Sequence, residues 1–443
     1  MPKYDIGVRC DYFLPMKDGR ADVLRDIFLG INGATIQSVI PWKEDLEKNC
    51  KEFFHARDQV VMPGLINGHT HLPMTLFRGL EDDVPFHVWL FDRILPLESK
   101  FVSSDFVRVG TELAALECIR FGTTTVTDMY MYCGSVADVI DRAGLRGIAS
   151  QTWASFPLPE DKDVGTNKTP VFEALLEKYK NHDRVQIGLG PHAPYSCEDD
   201  ILKEIVRLRD TYGSTIQIHV SETKNEVEEA QKKYGKTPVA RLNDLGILQK
   251  GTICAHCVHL DDHDLEIMKK SGASVVYNPD SNTKLGSGIA PIVKYLSRGI
   301  PVALGTDGSA SNNDLSLFGA MDLGTKIQKQ ASNSSTAMIG EQALRIATWE
   351  GARALGLGDV TGSLEEGKKA DIICIDLNFP HMQPVHNITS QLVYSANGLE
   401  VDSVICNGAF LMRDKKILEF NAAKIREEAD HYRDEIQKAL KEI

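Results

Sequence analysis

The chain has 443 residues, of which 42% are hydrophobic and 25% are charged, a composition typical of a folded protein with a large core rather than of a disordered chain. Its formal net charge of -13, without a run rich in lysine or arginine, argues against a nucleic-acid partner. The sequence shows neither an apolar stretch that would span a membrane nor a secretion signal, and its nine scattered cysteines suit the reduced thiols of a cytoplasmic protein.

Residues 1–60 predict a series of short β-strands. Apolar residues alternate or cluster over residues 6–14, 26–31 and 35–40, and Asn32-Gly33 is typical of a hairpin turn.

From residue 61 onward, short apolar strands alternate with segments of helical period. The strands are predicted at residues 61–67, 124–128, 146–150, 185–190, 215–220, 252–256, 274–277 and 302–306. Eight strands alternating with helices predict an α/β fold, a closed (β/α)8 TIM barrel over residues 61–359. The periodicity alone also permits an open doubly wound sheet.

After residue 360 the pattern returns to β-strands, at residues 370–375 and 401–411, with a turn at 414–416. The pattern of short strands and turns in this tail is similar to that of residues 1–60. We therefore predict one small β-sandwich domain built from both termini, residues 1–60 and 360–443, beside the barrel. Residues 421–443 predict an amphipathic, charge-rich helix.

Polar side chains follow the predicted barrel strands at their C-terminal ends. They are His69 and His71, Asp128, His192, His219 and Glu222, His256, Asn278 and Asp307. Active groups of such barrels lie at the C-terminal ends of the strands, so this distribution predicts an active site there.

Four of these residues predict a metal site. His69 and His71 are two positions apart, so on an extended strand both side chains point to one face. Together with His219 and Asp307 they offer nitrogen and oxygen ligands that suit one Zn2+ rather than Fe2+ or Mn2+. Such an ion lowers the pKa of water from 15.7 to about 7, and Asp307 can take the proton.

Two further residues predict acid–base chemistry. Glu222 follows His219 by three residues, where the chain leaves its strand, and can carry a proton to a ring nitrogen of a substrate. His256 ends the next strand and can stabilise charge during attack by water. A core histidine bonded to the backbone is the alternative for His256.

The motifs, taken together, resemble those of the amidohydrolase superfamily. Within it the chain is similar to the 5'-methylthioadenosine/S-adenosylhomocysteine deaminases and, more broadly, to the triazine-chlorohydrolase-like branch. The matching pieces lie in family order over about residues 60–410 and include Asn67-Gly68-His69-Thr70-His71, His219-Val220-Ser221-Glu222, His256 and Gly305-Thr306-Asp307-Gly308, as well as residues 71–79, 89–98, 190–195 and 382–387.

The resemblance implies a hydrolytic reaction in which the amino group of a purine leaves as ammonia. It assigns Zn2+ to His69, His71, His219 and Asp307. Glu222 would protonate N1 of the purine, and His256 would assist attack at C6. Binuclear barrel hydrolases often bridge two metals with a lysine at the end of the fourth strand; residues 191–195 contain none, which favours one ion per subunit.

Three substrate contacts are also implied by the resemblance. Glu98 would bond the ribose hydroxyls, Trp89 would form an apolar wall, and His192 would contact the nucleoside. Without the resemblance, Glu98 and Trp89 would be a surface carboxylate and a core aromatic residue.

One region departs from the family pattern. Members that accept S-adenosylhomocysteine hold its carboxylate with arginines after the third strand, and residues 149–155 and 165–168 contain no arginine. Arg146 is nearby and Lys168 can substitute, although lysine lacks the bidentate fork of arginine. We therefore expect a neutral 5' group, as in methylthioadenosine, adenosine or 5'-deoxyadenosine, ahead of S-adenosylhomocysteine.

Three other functions are compatible with parts of the pattern. The same site can act on another amino-heterocycle, namely guanine, 8-oxoguanine, a pterin or a triazine. A non-catalytic barrel is the second alternative, although the ligands and Glu222 are all present. A nucleic-acid-editing deaminase is disfavoured because its His-x-Glu and Pro-Cys-x-x-Cys motifs are absent. Members of this branch often form homo-oligomers, but the sequence indicates no interface.

Overall fold

The computed structural model of the chain describes residues 2–418 and 420–441, which contain two eight-stranded sheets. The strands of these residues, numbered β1 to β16, are Tyr4–Phe13, Leu24–Asn32, Thr35–Pro41, Cys50–Pro63, Leu65–Thr70, Thr123–Tyr130, Arg146–Trp153, Val185–Pro191, Ile216–Val220, Thr252–His256, Ser274–Tyr277, Val302–Leu304, Ile372–Asp376, Val401–Cys406, Ala409–Arg413 and Lys416–Ile417.

Helices cover most of the remaining chain. The α-helices, numbered α1 to α16, are Leu95–Phe101, Ser104–Arg120, Cys133–Arg142, Asp161–Val164, Thr169–Lys178, Asp199–Tyr212, Lys224–Tyr234, Pro238–Asp244, Asp262–Ser271, Pro279–Lys284, Ile292–Ser297, Leu317–Ala331, Gly340–Ala347, Trp349–Ala354, Ile388–Ser390 and Ala422–Leu440. Short 3-10 or π-helical segments lie at Lys17–Gly19, Glu44–Asn49, Leu72–Phe77, Val88–Ile94, Pro380–Met382 and Gln391–Ser395.

The two ends of the chain share one sheet, with the strand order β16-β15-β14-β13-β4-β1-β2-β3. The N-terminal and C-terminal strands meet where β13 runs antiparallel to β4, with Ile372 opposite Pro63. The predicted β region built from both termini is therefore confirmed, whereas the domain boundaries at residues 60 and 360 stay a prediction. The C-terminal helix α16 ends at Leu440, and residues 442–443 of its predicted range lie outside the described residues.

The strand predicted at residues 61–67 is wrong in one respect, because two strands of different sheets share its apolar run. β4 ends at Pro63 in the terminal sheet, and β5 begins at Leu65 in the barrel. Gly64 separates them, and a Cβ atom there would clash with the side chain of Thr124. The run is continuously apolar because both strands are buried, so its pattern does not show the break.

The second sheet is the predicted barrel. Strands β5 to β12 pair in chain order, and the pairs are parallel. The last strand returns to the first: the backbone N–H of Asp307 donates to the carbonyl of His69 at 3.0 Å, and that of Thr306 donates to Oδ1 of Asn67 at 3.0 Å. The (β/α)8 prediction is confirmed, and the open doubly wound sheet is not formed.

The main hydrophobic core lies between the barrel strands and the surrounding helices. A separate cluster joins side chains of five barrel strands, including Ile66, Ile148 and Ile253, to Ala352 and Leu355 at the end of α14. This packing leaves the opposite, C-terminal end of the barrel for polar groups. Among the described residues, no helix is both long and apolar enough to cross a membrane.

Candidate active site

Four of the predicted site residues come together at the C-terminal end of the barrel. Nε2 of His71 lies 3.2 Å from Nε2 of His219 and 3.3 Å from Oδ1 of Asp307. Nε2 of His69 lies 3.5 Å from the same carboxylate oxygen. His69 and His219 belong to β5 and β9, His71 directly follows β5, and Asp307 follows β12. Residues separated by more than 200 positions therefore face one point.

The opposite nitrogen of each imidazole is bonded to an oxygen that can only accept. Nδ1 of His69 donates to Oε1 of Gln217 at 3.0 Å, Nδ1 of His71 donates to the carbonyl of Met129 at 2.6 Å, and Nδ1 of His219 donates to the carbonyl of His192 at 2.7 Å. Since the proton is on Nδ1, each Nε2 presents a lone pair, the arrangement of metal-ligating histidines.

These lone pairs need a cation between them. Nε2 of His69 is buried and has no hydrogen-bond partner among the described residues. Burial lowers the pKa of His71 and lowers that of His219 well below its usual value, so neither ring is charged at neutral pH. Three nitrogen lone pairs beside a carboxylate repel one another until a metal ion binds, so the donor set fits a metal cofactor.

Asp307 is fixed as an anion. Its Oδ2 accepts hydrogen bonds from the hydroxyls of Ser281 at 2.6 Å and Ser311 at 2.9 Å, and its Oδ1 accepts one from the N–H of Gly308 at 2.8 Å. The carboxylate can therefore accept a proton only when another group, such as water, is strongly acidified.

Glu222 and His256 face each other beside this point. Oε2 of Glu222 lies 3.8 Å from Nε2 of His256, and the hydroxyl of Ser287 donates to Oε1 of Glu222 at 3.3 Å. Burial raises the pKa of Glu222, which favours a protonated carboxyl that can donate. Nδ1 of His256 bonds to the side chain of Asn282 at 2.8 Å, not to the backbone as the core-histidine alternative required.

A cavity of about 180 Å³ opens above these groups, and the three residues implied as substrate contacts all line it. Trp89 is only 7% exposed, and its ring lies 6.0 Å from that of Phe86. The hydroxyl of Tyr130 donates to Oε1 of Glu98 at 2.5 Å, and burial raises the pKa of Glu98 to about 7. Burial also lowers the pKa of His192 to about 4, which keeps its ring neutral.

Apart from the buried His69, two of the polar residues at strand ends do not line this cavity. Oδ2 of Asp128 accepts from the N–H of Leu72 at 2.5 Å and from the hydroxyl of Thr70 at 3.1 Å, which anchors the segment after β5. Asn278 precedes α10 and is fully buried. Some residues at the strand ends therefore line the cavity, whereas others support the loops that follow the strands.

Arg146 and Lys168, the two cations that the sequence offers for a substrate carboxylate, pair with other groups of the protein. Nε of Arg146 lies 2.8 Å from Oδ2 of Asp371, and Nζ of Lys168 contacts the carboxylate of Asp161 and the carbonyl of Gly165. The cavity wall after β7 consists instead of residues 156–159, Phe-Pro-Leu-Pro. None of the described residues that line the cavity is lysine or arginine.

Several residues that support the site were not predicted from the sequence. Gln217 precedes His219 by two positions on β9, so the two-residue period of a strand places both on one face. Tyr130 likewise lies two positions from Asp128, on β6. Ser281, Ser311 and Asn282 lie on helices or loops after the strands, where no periodic signal marks them.

Comparison with known proteins agrees with this geometry. Residues 60–411 match the model of the amidohydrolase family. The chain is 42% identical over 410 residues, 92% of its length and 93% of the relative's, to the 5-methylthioadenosine/S-adenosylhomocysteine deaminase of Caldanaerobacter subterraneus subsp. tengcongensis. It is 41% identical over 361 residues, 81% of its length and 83% of the relative's, to the 5'-deoxyadenosine deaminase of Methanothermobacter thermautotrophicus.

A solved structure extends the similarity to three dimensions. The adenosine deaminase of Xanthomonas campestris, crystallised with bound zinc, superposes with a TM-score of 0.94 at 33% identity and covers 99% of this chain and 100% of its own.

Proposed function

This chain belongs to the amidohydrolase family, and we propose that it is a zinc-dependent hydrolytic deaminase of adenosine-type nucleosides, which releases ammonia and leaves the inosine analogue. The observation that supports this most is the convergence of three unprotonated Nε2 atoms and one carboxylate below a cavity that also contains buried Glu98. The deaminases named above, to which the chain is similar over most of its length, support the same reaction class.

We assign the metal to His69, His71, His219 and Asp307. Nitrogen donors with one carboxylate oxygen suit zinc, and the bound zinc of the similar adenosine deaminase supports this choice. When bound, zinc supplies the Lewis acidity that makes water a nucleophile near neutral pH.

The protein side chains provide the proton transfers. Asp307 accepts a proton from the attacking water. Glu222, whose burial raises its pKa, donates to N1 of the purine, so that the ring accepts electrons as C6 is attacked. His256, with Nδ1 bonded to Asn282, directs Nε2 towards the site and stabilises the developing negative charge on oxygen.

The cavity wall provides recognition of the nucleoside. Glu98 has one oxygen bonded to Tyr130, which leaves the other oxygen for the ribose hydroxyls. Trp89 packs against the apolar part of the substrate, and neutral His192 contacts the nucleoside without adding a charge.

We infer that the preferred 5' group is neutral. The described cavity wall offers no cation for an amino-acid carboxylate, and the apolar residues 156–159 stand where such a cation would be needed. Transferring a carboxylate against an apolar wall without a partner is strongly unfavourable. Methylthioadenosine, adenosine and 5'-deoxyadenosine should therefore be better substrates than S-adenosylhomocysteine.

The test is ammonia release by zinc-loaded protein over these four nucleosides and over guanine, 8-oxoguanine, a pterin and a triazine. We expect release from the three nucleosides with neutral 5' groups. Release only from the ribose-free heterocycles would reject a nucleoside deaminase. Equal kcat/KM for S-adenosylhomocysteine and methylthioadenosine would reject the preference for a neutral group while leaving the deaminase in place.

We also infer a cytoplasmic location and a small-molecule substrate. All nine cysteines are free thiols, and eight of them are buried, as suits a reducing compartment.

A further inference from the structure

Glu226 contacts the backbone beside Glu222 with both of its carboxylate oxygens. Oε1 accepts a hydrogen bond from the N–H of Ser221 at 2.9 Å, and Oε2 accepts one from the N–H of Glu222 at 2.8 Å. We propose that Glu226 is a positioning residue that fixes the backbone of Glu222 and so places the proton-donating carboxyl over the substrate. This inference rests on the proposed role of Glu222.

The turn that Glu226 spans is conformationally costly. Ser221 has a φ of 50°, in the left-handed region that side chains other than glycine seldom adopt. The turn reverses the chain between β9, which contains His219, and α7. The N–H groups of Ser221 and Glu222 are buried and need hydrogen-bond acceptors. The carboxylate of Glu226 offers one oxygen to each of them, at a fixed separation.

The contact is not the usual cap of a helix. Thr223 is the N-cap of α7, and its hydroxyl accepts from the N–H of Glu226 at 3.2 Å. In a capping box, the acidic residue at this position bonds back to the N–H of the cap residue itself. Here Glu226 bonds instead to the two residues before Thr223. The carboxylate keeps the favourable position at the helix N-terminus and also holds the turn.

The side chain of Glu222 is itself only weakly held. Its side chain accepts one hydrogen bond of 3.3 Å from Ser287 and lies 3.8 Å from His256. Contacts of this length leave the carboxyl free to move by more than proton transfer tolerates. The position of the carboxyl therefore depends on the backbone of the turn, which Glu226 holds through two N–H groups and which the N–H groups of Val258 and His259 hold through the carbonyl of Ser221. By contrast, His219 is fixed by strand pairing and by the carbonyl of His192, so the metal site does not depend on Glu226.

The test begins with Glu226→Gln, which keeps the size of the side chain. Its carbonyl can satisfy one N–H, but its amide group then places a donor against the other N–H. We expect kcat/KM for adenosine to fall about 100-fold, the effect of misplacing a catalytic group by about 1 Å. Zinc content and zinc affinity should match those of the parent protein. Loss of zinc would overturn the inference, because it would mean that Glu226 supports the metal ligands.

The matched control is Glu229→Gln. Glu229 lies on the same helix and is exposed, and its ion pair among the described residues is a 3.7 Å contact with Lys232, so the substitution replaces a glutamate of this helix without touching the turn. We expect its kcat/KM to equal that of the parent protein.

A double-mutant cycle separates positioning from a general structural effect. If Glu226 acts through Glu222, then Glu226→Gln causes no further loss of kcat in a Glu222→Gln protein. A further loss of about 100-fold in that background would overturn the inference. Full activity of Glu222→Gln alone would instead reject the proposed proton donor, so the two failures differ.

Ser221→Gly provides a rescue variant and covers the case in which Glu226→Gln folds poorly. Glycine adopts a φ of this sign without strain, and the buried hydroxyl of Ser221 has no partner in the described part of the chain, so no hydrogen bond seen there is lost. Adding Ser221→Gly to Glu226→Gln should recover about tenfold of the lost kcat/KM, by relieving the strain of the left-handed turn. Improved folding without any recovery of activity would count against a positioning role.

Discussion

Gln217 accepts a hydrogen bond from Nδ1 of His69 at 3.0 Å, and this contact sets which nitrogen of His69 faces the proposed metal site. The substitution Gln217→Leu removes this hydrogen bond. It should lower zinc affinity about 10- to 100-fold, because the ring of His69 loses its fixed tautomer and orientation. Competition with a chromophoric chelator measures the affinity.

Two variants control for this effect. Gln217→Glu keeps an acceptor for Nδ1 and should retain most of the affinity. Gln186→Leu makes the same change at an exposed position of β8 and should have no effect. Unchanged affinity in Gln217→Leu would show that the backbone alone orients His69.

Removing the metal should lower stability as well as activity. Without a cation, the Nε2 atoms of His71 and His219 remain 3.2 Å apart with their lone pairs facing each other. A ligand that binds only the folded state at 1,000 times its Kd stabilises it by about 4 kcal/mol. We expect chelator-treated protein to melt at a lower temperature and to lose turnover, and added zinc to restore both. An unchanged melting temperature after verified zinc removal contradicts this expectation.

Tyr130 should act through Glu98 on recognition of the sugar. Tyr130→Phe removes the donor to Oε1 of Glu98, so the carboxyl is no longer held towards the ribose. A hydrogen bond to a charged group contributes about 1.5–3 kcal/mol, so kcat/KM for adenosine should fall at least about tenfold. With 2',3'-dideoxyadenosine, which lacks both hydroxyls, the same substitution should change kcat/KM little.

A buried tyrosine at the end of another barrel strand gives the control for that experiment. Tyr277 bonds to Gln328 rather than to a cavity residue, so Tyr277→Phe should leave the ratio between the two nucleosides unchanged. Equal losses on both nucleosides in Tyr130→Phe would assign Tyr130 to general packing.

Glu98 should also make stability depend on pH. Burial raises its pKa from the usual 4.5 to about 7 in the folded protein, so between these values the folded state binds more protons than the unfolded state. The stability that this proton uptake contributes is fully present below pH 4.5 and is lost as pH rises through 7.

Glu98→Gln removes this ionisation and keeps an oxygen that can accept from Tyr130. Urea unfolding at pH 5 and at pH 8 should therefore show a smaller loss of unfolding free energy in Glu98→Gln than in the parent protein. Parallel losses in both proteins would place the folded pKa of Glu98 near its usual value.

Local sequence patterns predict the barrel, the terminal β region and the residues proposed to hold the metal. Apolar strands and helical segments differ in period, and His69 and His71 share a face through the geometry of an extended strand. These are local properties, since each depends on neighbours within a few positions. The same locality explains why the apolar run through Pro63 predicts one strand where the structure has two.

Which polar residues meet, and which groups support them, depends on contacts that form when the chain folds. The carbonyls of Met129 and His192 fix two imidazoles, and backbone carbonyls are the same in every sequence. The pairing of Arg146 with Asp371 removes that cation from the cavity, although the two residues lie 225 positions apart. Such relations depend on how the barrel closes, because contacts between distant segments leave no periodic pattern along the chain.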